Sequence, residues 1–77
     1  MNKLILKEYN SDYLIYWYQP EGHGEFGEIS FTFSNNNAKI TKEAEENDTW
    51  HANKALFKVC ECVEKKNLPL EFIQAWY

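Results

Sequence analysis

The residues best suited to chemistry include a glycine-rich loop that sets one histidine between two glutamates: Glu21, Gly22, His23, Gly24 and Glu25. A neutral imidazole beside carboxylates is a ligand set that zinc or manganese accepts, and the same groups serve acid–base catalysis. His51 is the second histidine of the chain and could approach this loop after folding. One hypothesis is therefore a small metal-dependent or acid–base enzyme that uses His23, His51, Glu21 and Glu25.

The spacing of these groups supports that hypothesis less than their chemistry does. The two histidines follow no known metal-binding pattern such as His-Glu-x-x-His, and no Gly-x-Ser-x-Gly nucleophile elbow is present. The loop glycines join two predicted strands, whereas a phosphate-binding loop leads into the start of a helix. We therefore expect the glycines to serve loop geometry, and we assign no catalytic residue and no cofactor.

The charge of the chain argues against nucleic acid as a partner. Twelve acidic residues outnumber eight basic ones, which are all lysine, and the net charge is −4. Without arginine the chain offers neither a basic stripe for phosphates nor a bidentate reader of guanine. A protein partner or self-association is the better expectation.

Length and hydropathy predict one small soluble domain spanning residues 1–77. The apolar run Leu4–Leu6 is too short for a signal peptide, and no stretch approaches the length that spans a bilayer. Cys60 and Cys62 lie two apart in a predicted helix, so their side chains diverge and cannot form a disulfide. We expect reduced thiols, Cys60 on the buried helix face, a cytoplasmic location and no membrane partner.

The pattern of apolar residues predicts an α+β fold: a four-stranded antiparallel meander with one helix packed on one face. The predicted strands cover residues 3–9, 12–18, 26–34 and 38–41, and the helix covers 49–66. Asp48 or Thr49 suits the helix N-cap, and Asn67 suits the left-handed position after the helix. The C-terminal segment is open to two interpretations: its β-branched and aromatic residues favour a fifth strand over 72–77, while Leu70, Ile73 and Trp76 fit helical spacing.

Two aromatic features exceed what one small core needs. Trp50 and Phe57 are seven residues apart on the helix face opposite the core, beside Lys54 and Glu61. Either the C-terminal segment covers this face, or the face meets another chain.

The strand from Tyr13 to Tyr18 is bulky on both sides, so one side must face the solvated surface of the sheet. Tyrosines there would either pack across strands or form a contact surface. The leading hypothesis is a non-enzymatic protein–protein interaction module or homodimer whose surface includes these aromatic residues: Trp50, Phe57, Tyr16, Tyr18 and Trp76.

Overall fold

The computed structural model describes residues 1–75 and confirms the predicted α+β architecture. The strands are β1 (Asn2–Tyr9), β2 (Tyr13–Pro20), β3 (Gly27–Thr32), β4 (Asn37–Lys42) and β5 (Glu71–Gln74), and the helix is α1 (Thr49–Glu64). All five strands are antiparallel to their neighbours in the order β4-β3-β2-β1-β5. The C-terminal segment is therefore a strand from Glu71 to Gln74, and the part of the predicted strand at 76–77 lies outside the described residues.

Several element ends differ from the predicted ones. β2 continues to Pro20. Beyond Tyr18 it pairs with β1 alone, so the missing amide proton of Pro20 costs no hydrogen bond to a second neighbouring strand. The helix ends at Glu64, two residues earlier than predicted. Lys66 adopts the left-handed conformation (φ 55°) that the sequence suggested for Asn67.

The core lies between α1 and one face of the sheet. The helix contributes small side chains at its closest approach: Ala52, Ala55, Val59 and Cys62 are buried. The sheet contributes large ones, and its fully buried members are Leu4, Leu14, Tyr16, Tyr18 and Ile29. Small residues on the helix let it approach the sheet closely, so the tyrosine rings fill the space between the two layers.

The buried tyrosines correct the sequence interpretation, which placed Tyr16 and Tyr18 on an interaction surface. Both side chains are 0% exposed. Each phenol satisfies its hydroxyl inside the fold: Tyr16 donates to the carbonyl oxygen of Pro69 at 2.7 Å, and Tyr18 accepts from the backbone amide of Ala44 at 3.0 Å. A tyrosine is stable in a core when its hydroxyl finds such a partner.

The cysteine prediction is confirmed in part: Cys60 packs against the core as expected, but Cys62 is the more buried of the two. Cys62 is the buried cysteine at 7% exposure, and Cys60 is half-buried. The buried positions step along α1 by three, four and three residues, and this stripe passes through 62. Both thiols are free, and burial raises the pKa of each above its usual value.

Candidate functional site

The first candidate site of the sequence, the histidine and glutamate group, is only partly assembled. Glu21 and His51 meet, with 3.0 Å between Glu21 Oε1 and His51 Nε2. His23 and Glu25 do not join them: His23 is an exposed residue of the β2–β3 loop, and Glu25 lines a different cleft. The predicted set of four ligands is therefore not formed.

The position of the imidazole explains why this group makes a poor metal site. Asp48 Oδ2 lies 2.8 Å from His51 Nδ1, whereas Glu21 approaches the other ring nitrogen. The two carboxylates thus sit at different edges of the ring, where a single ion cannot contact both through short bonds. Within residues 1–75, no group of three or more His, Cys, Asp or Glu side chains could hold a metal ion.

These residues instead fasten the N-terminus and the β2–β3 loop to the start of α1. Asp48 caps the helix by accepting the backbone amide of His51 at 3.2 Å. Glu21 Oε1 also accepts the N-terminal ammonium of Met1 at 2.9 Å. Hydrogen bonds from this ammonium and from His51 hold the pKa of Glu21 below its usual value.

A second set of hydrogen bonds joins β5 to β1 and α1 beside these contacts. The buried Asn2 side chain donates through Nδ2 to the carbonyl oxygen of His51 at 3.0 Å and to Gln74 Oε1 at 3.2 Å. Gln74 Nε2 in turn donates to the carbonyl oxygen of Lys54 at 2.9 Å. The polar cluster around His51 therefore ties β1, β5 and α1 together, which is a structural role.

The loop glycines also have structural explanations. Gly22 and Gly24 adopt positive φ angles of 75° and 88°, which are accessible to glycine at little steric cost. Gly27 packs directly under the buried ring of Tyr18, where a Cβ atom would overlap the ring. Loop geometry, as expected from the sequence, accounts for Gly22 and Gly24, and close packing against Tyr18 accounts for Gly27.

The second candidate site is the outer helix face, which we define as Trp50, Lys54, Phe57 and Glu61. Phe57 is 72% exposed and Trp50 is 52% exposed. The Lys54 ammonium lies 5.2 Å from the centre of the Trp50 ring, and Glu61 Oε1 accepts from Lys58 Nζ at 2.7 Å. The face thus combines two aromatic rings with one positive and one negative group.

The first part of the C-terminal segment does not cover this face. β5 pairs with β1 at the edge of the sheet, so residues 71–74 do not lie over Phe57. Trp76, the remaining member of the predicted interaction surface, lies outside the described residues.

Sequence reasoning missed a third site, on the sheet face away from α1. This open sheet face carries the large side chains that alternate with the core residues: Ile5, Tyr13, Ile15, Trp17 and Ile73. At its β3–β4 end, Trp17 and Phe26 form the wall of a cleft of about 250 Å³. The alternation of residues in β2 and β3 could have identified the open sheet face, because Leu14, Tyr16 and Tyr18 lie on the same side of the sheet as Ile29.

Comparison of the chain with protein-family models, with curated proteins and with solved structures finds no match. In residues 1–75 no helix has the length and apolar character needed to cross a membrane.

Proposed function

We propose that the protein is a protein–protein interaction module that pairs with a second copy of itself through the outer helix face. The observation that supports this proposal most strongly is Phe57, a large apolar side chain that is 72% exposed near the middle of α1. Contiguous exposed apolar patches are typical of interaction sites, and Phe57 shares its helix face with Trp50, which is 52% exposed. The helix already uses its opposite side for the core.

The position of Phe57 favours a symmetric, antiparallel pairing. α1 runs from Thr49 to Glu64, so its midpoint falls between residues 56 and 57. A twofold axis beside Phe57 lets two antiparallel helices overlap along their whole length, about 24 Å for 16 residues. Each Phe57 ring then packs against the ring of the other copy.

The charges of the outer helix face complement one another in this arrangement. Lys54 lies three residues before Phe57 and Glu61 lies four residues after it. Along antiparallel axes, Lys54 of one copy and Glu61 of the other differ in height by only about 1.5 Å. Within one helix the same two residues are about 10 Å apart along the axis, so they pair better between copies than within one.

The expected affinity is modest. One helix pair of this length buries less than the roughly 1,600 Å² of a standard interface, and each chain carries a net charge of −4. We expect a dissociation constant between about 10 μM and 1 mM. Sedimentation equilibrium over this range then gives a mass that rises from one chain to two.

Phe57→Ala tests the apolar part of the contact. Truncating a central aromatic contact in both copies weakens the dimer by at least about 2 kcal/mol, which is roughly thirtyfold. Leu70→Ala is a matched control, because Leu70 is 75% exposed but lies at the sheet edge. The proposal fails if the wild type is a monomer at 2 mM, about twice the weakest expected dissociation constant, or if both variants weaken the dimer equally.

A charge exchange tests the antiparallel register. Lys54→Glu alone sets two carboxylates against each other in both symmetric pairs, so we expect roughly tenfold weaker association. Adding Glu61→Lys to this variant restores opposite charges and recovers most of the loss. A double variant that remains as weak as the single one contradicts the register, and equal association of all three proteins contradicts the use of this face.

A further inference from the structure

The cleft on the open sheet face is a second surface, on the side of the sheet opposite the outer helix face. Within residues 1–75, six residues line it, and they belong to β2, the β2–β3 loop, β3 and β4: Trp17, Glu25, Phe26, Gly27, Glu28 and Lys42. Pairing through α1 leaves it unobstructed, because α1 covers the other face of the sheet. Binding at this cleft is therefore independent of the proposed dimer.

The cleft has an aromatic wall. The rings of Trp17 and Phe26 are 5.6 Å apart between centroids and inclined by 43°. The Trp17 ring already has one cation beside it, since Lys7 Nζ lies 4.5 Å from the ring centroid. An indole is the strongest of the aromatic side chains in binding cations through its ring face.

Beside this wall, two hydrogen bonds fix a carboxylate in place. Glu28 Oε1 accepts from Trp17 Nε1 at 3.3 Å, and Glu28 Oε2 accepts from the hydroxyl of Thr41 at 2.6 Å. Thr41 is an extra residue of β4 at a register shift opposite β3, and this bulge brings its hydroxyl to Glu28. Each carboxylate oxygen keeps a further lone pair for a ligand.

The six lining residues of the cleft favour a cationic occupant. Glu25 and Glu28 contribute two carboxylates and Lys42 one ammonium, so the lining residues carry a net charge of −1, while Lys7 on β1 brings a second ammonium to the Trp17 ring. A guanidinium group matches this lining better than an ammonium group. Its plane stacks on aromatic rings, its fork of N–H donors fits a carboxylate, and it is less strongly hydrated.

We propose that this cleft binds an arginine side chain presented by a basic protein partner. The guanidinium stacks on the Trp17–Phe26 wall and donates to the Glu28 carboxylate. The occupant comes from a different protein, because all eight basic residues of this chain are lysines and a second copy supplies no arginine.

The test uses acetyl-Gly-Arg-Gly-amide as probe and acetyl-Gly-Lys-Gly-amide as its matched control. Titrations follow the indole N–H signal of Trp17 by ¹⁵N-correlated NMR, with the signal assigned by its loss in Trp17→Phe. We expect saturable binding of the arginine peptide at about 1–10 mM, and binding of the lysine peptide at least about threefold weaker. Shifts that do not saturate, or equal affinity for both peptides, overturn the proposal.

Two variants test the residues of the cleft. Glu28→Gln keeps the shape of the side chain but removes its charge, and we expect at least about fivefold weaker arginine binding. Glu71→Gln removes an exposed carboxylate at β5, two strands away from Trp17, and leaves the affinity within about twofold. Phe26→Leu removes one of the two rings of the aromatic wall. Phe26 lies in the β2–β3 loop, outside the strands, and we expect the substitution to weaken arginine binding at least about threefold. Unchanged affinity in Glu28→Gln or in Phe26→Leu overturns the proposal.

Discussion

The hydroxyl of Tyr18 gives the sharpest test of how the core is built. It accepts the backbone amide of Ala44 at 3.0 Å, and both residues are buried. Tyr18→Phe keeps the ring and removes only the acceptor, so the amide of Ala44 loses its partner in a site that water does not reach. A buried donor left in this way destabilises a protein by about 1–3 kcal/mol. For a domain of this size, each kcal/mol lowers the melting temperature by roughly 4–8 °C.

Tyr16→Phe is the matched control for this substitution. Tyr16 is equally buried, but its hydroxyl donates to the carbonyl oxygen of Pro69, a half-buried residue in the loop before β5. A carbonyl near the surface can accept a hydrogen bond from water instead. We therefore expect Tyr16→Phe to lower the free energy of unfolding by about 1 kcal/mol or less. Urea unfolding with equal m-values measures both changes. Wild-type stability in Tyr18→Phe, or a larger loss in Tyr16→Phe, refutes the reasoning.

Three further predictions concern packing, pH and capping. Gly27→Ala forces a methyl group into the buried ring of Tyr18 and destabilises the fold by about 1–3 kcal/mol in the same unfolding assay; wild-type stability would show that the ring can move aside. Burial raises the pKa of Tyr16 from 10.0 to about 12, so its neutral form is favoured in the folded state. The contribution of this raised pKa to the free energy of unfolding is complete below pH 10 and falls by about 1.4 kcal/mol per pH unit towards pH 12. Urea unfolding at pH 9–12 measures this loss of stability, and the loss should be smaller in Tyr16→Phe. Asp48→Ala removes the cap of α1 and lowers stability by about 1 kcal/mol in thermal unfolding, whereas Asp12→Ala, in an exposed turn, serves as the control.

The fold could be predicted from the sequence wherever one local pattern determines an element. The alternation around Ile29 and Phe31 identified β3 and its buried face, and the structure confirms it. Of the two N-cap candidates, Asp48 and Thr49, the structure uses Asp48; the sequence could name the pair because capping depends on a few neighbouring residues. The fifth strand was correctly favoured, although its pairing with β1 depends on contacts about seventy residues apart in sequence.

The parts that failed depend on tertiary contacts. Tyr16 and Tyr18 were assigned to the surface because tyrosine suits half-exposed sheets, but both rings are buried and their hydroxyls find backbone partners in the loops after α1 and β4. No pattern in β2 alone reveals those partners. The burial of Cys62, which the sequence did not assign to the core, has a similar cause, because the packing of α1 on the sheet decides which side of the helix is most buried. The cleft at Trp17 likewise depends on strand register.

Intermolecular contacts of Phe57 test the central claim most directly. In a sample at about 1 mM that mixes isotope-labelled and unlabelled chains, filtered nuclear Overhauser spectra record only contacts between copies. Pairing through the outer helix face predicts contacts from the Phe57 ring to Phe57, Lys54 and Glu61 of the other copy. Absence of contacts at Phe57, or contacts between copies at Ile5 and Ile15 of the open sheet face instead, would contradict the account.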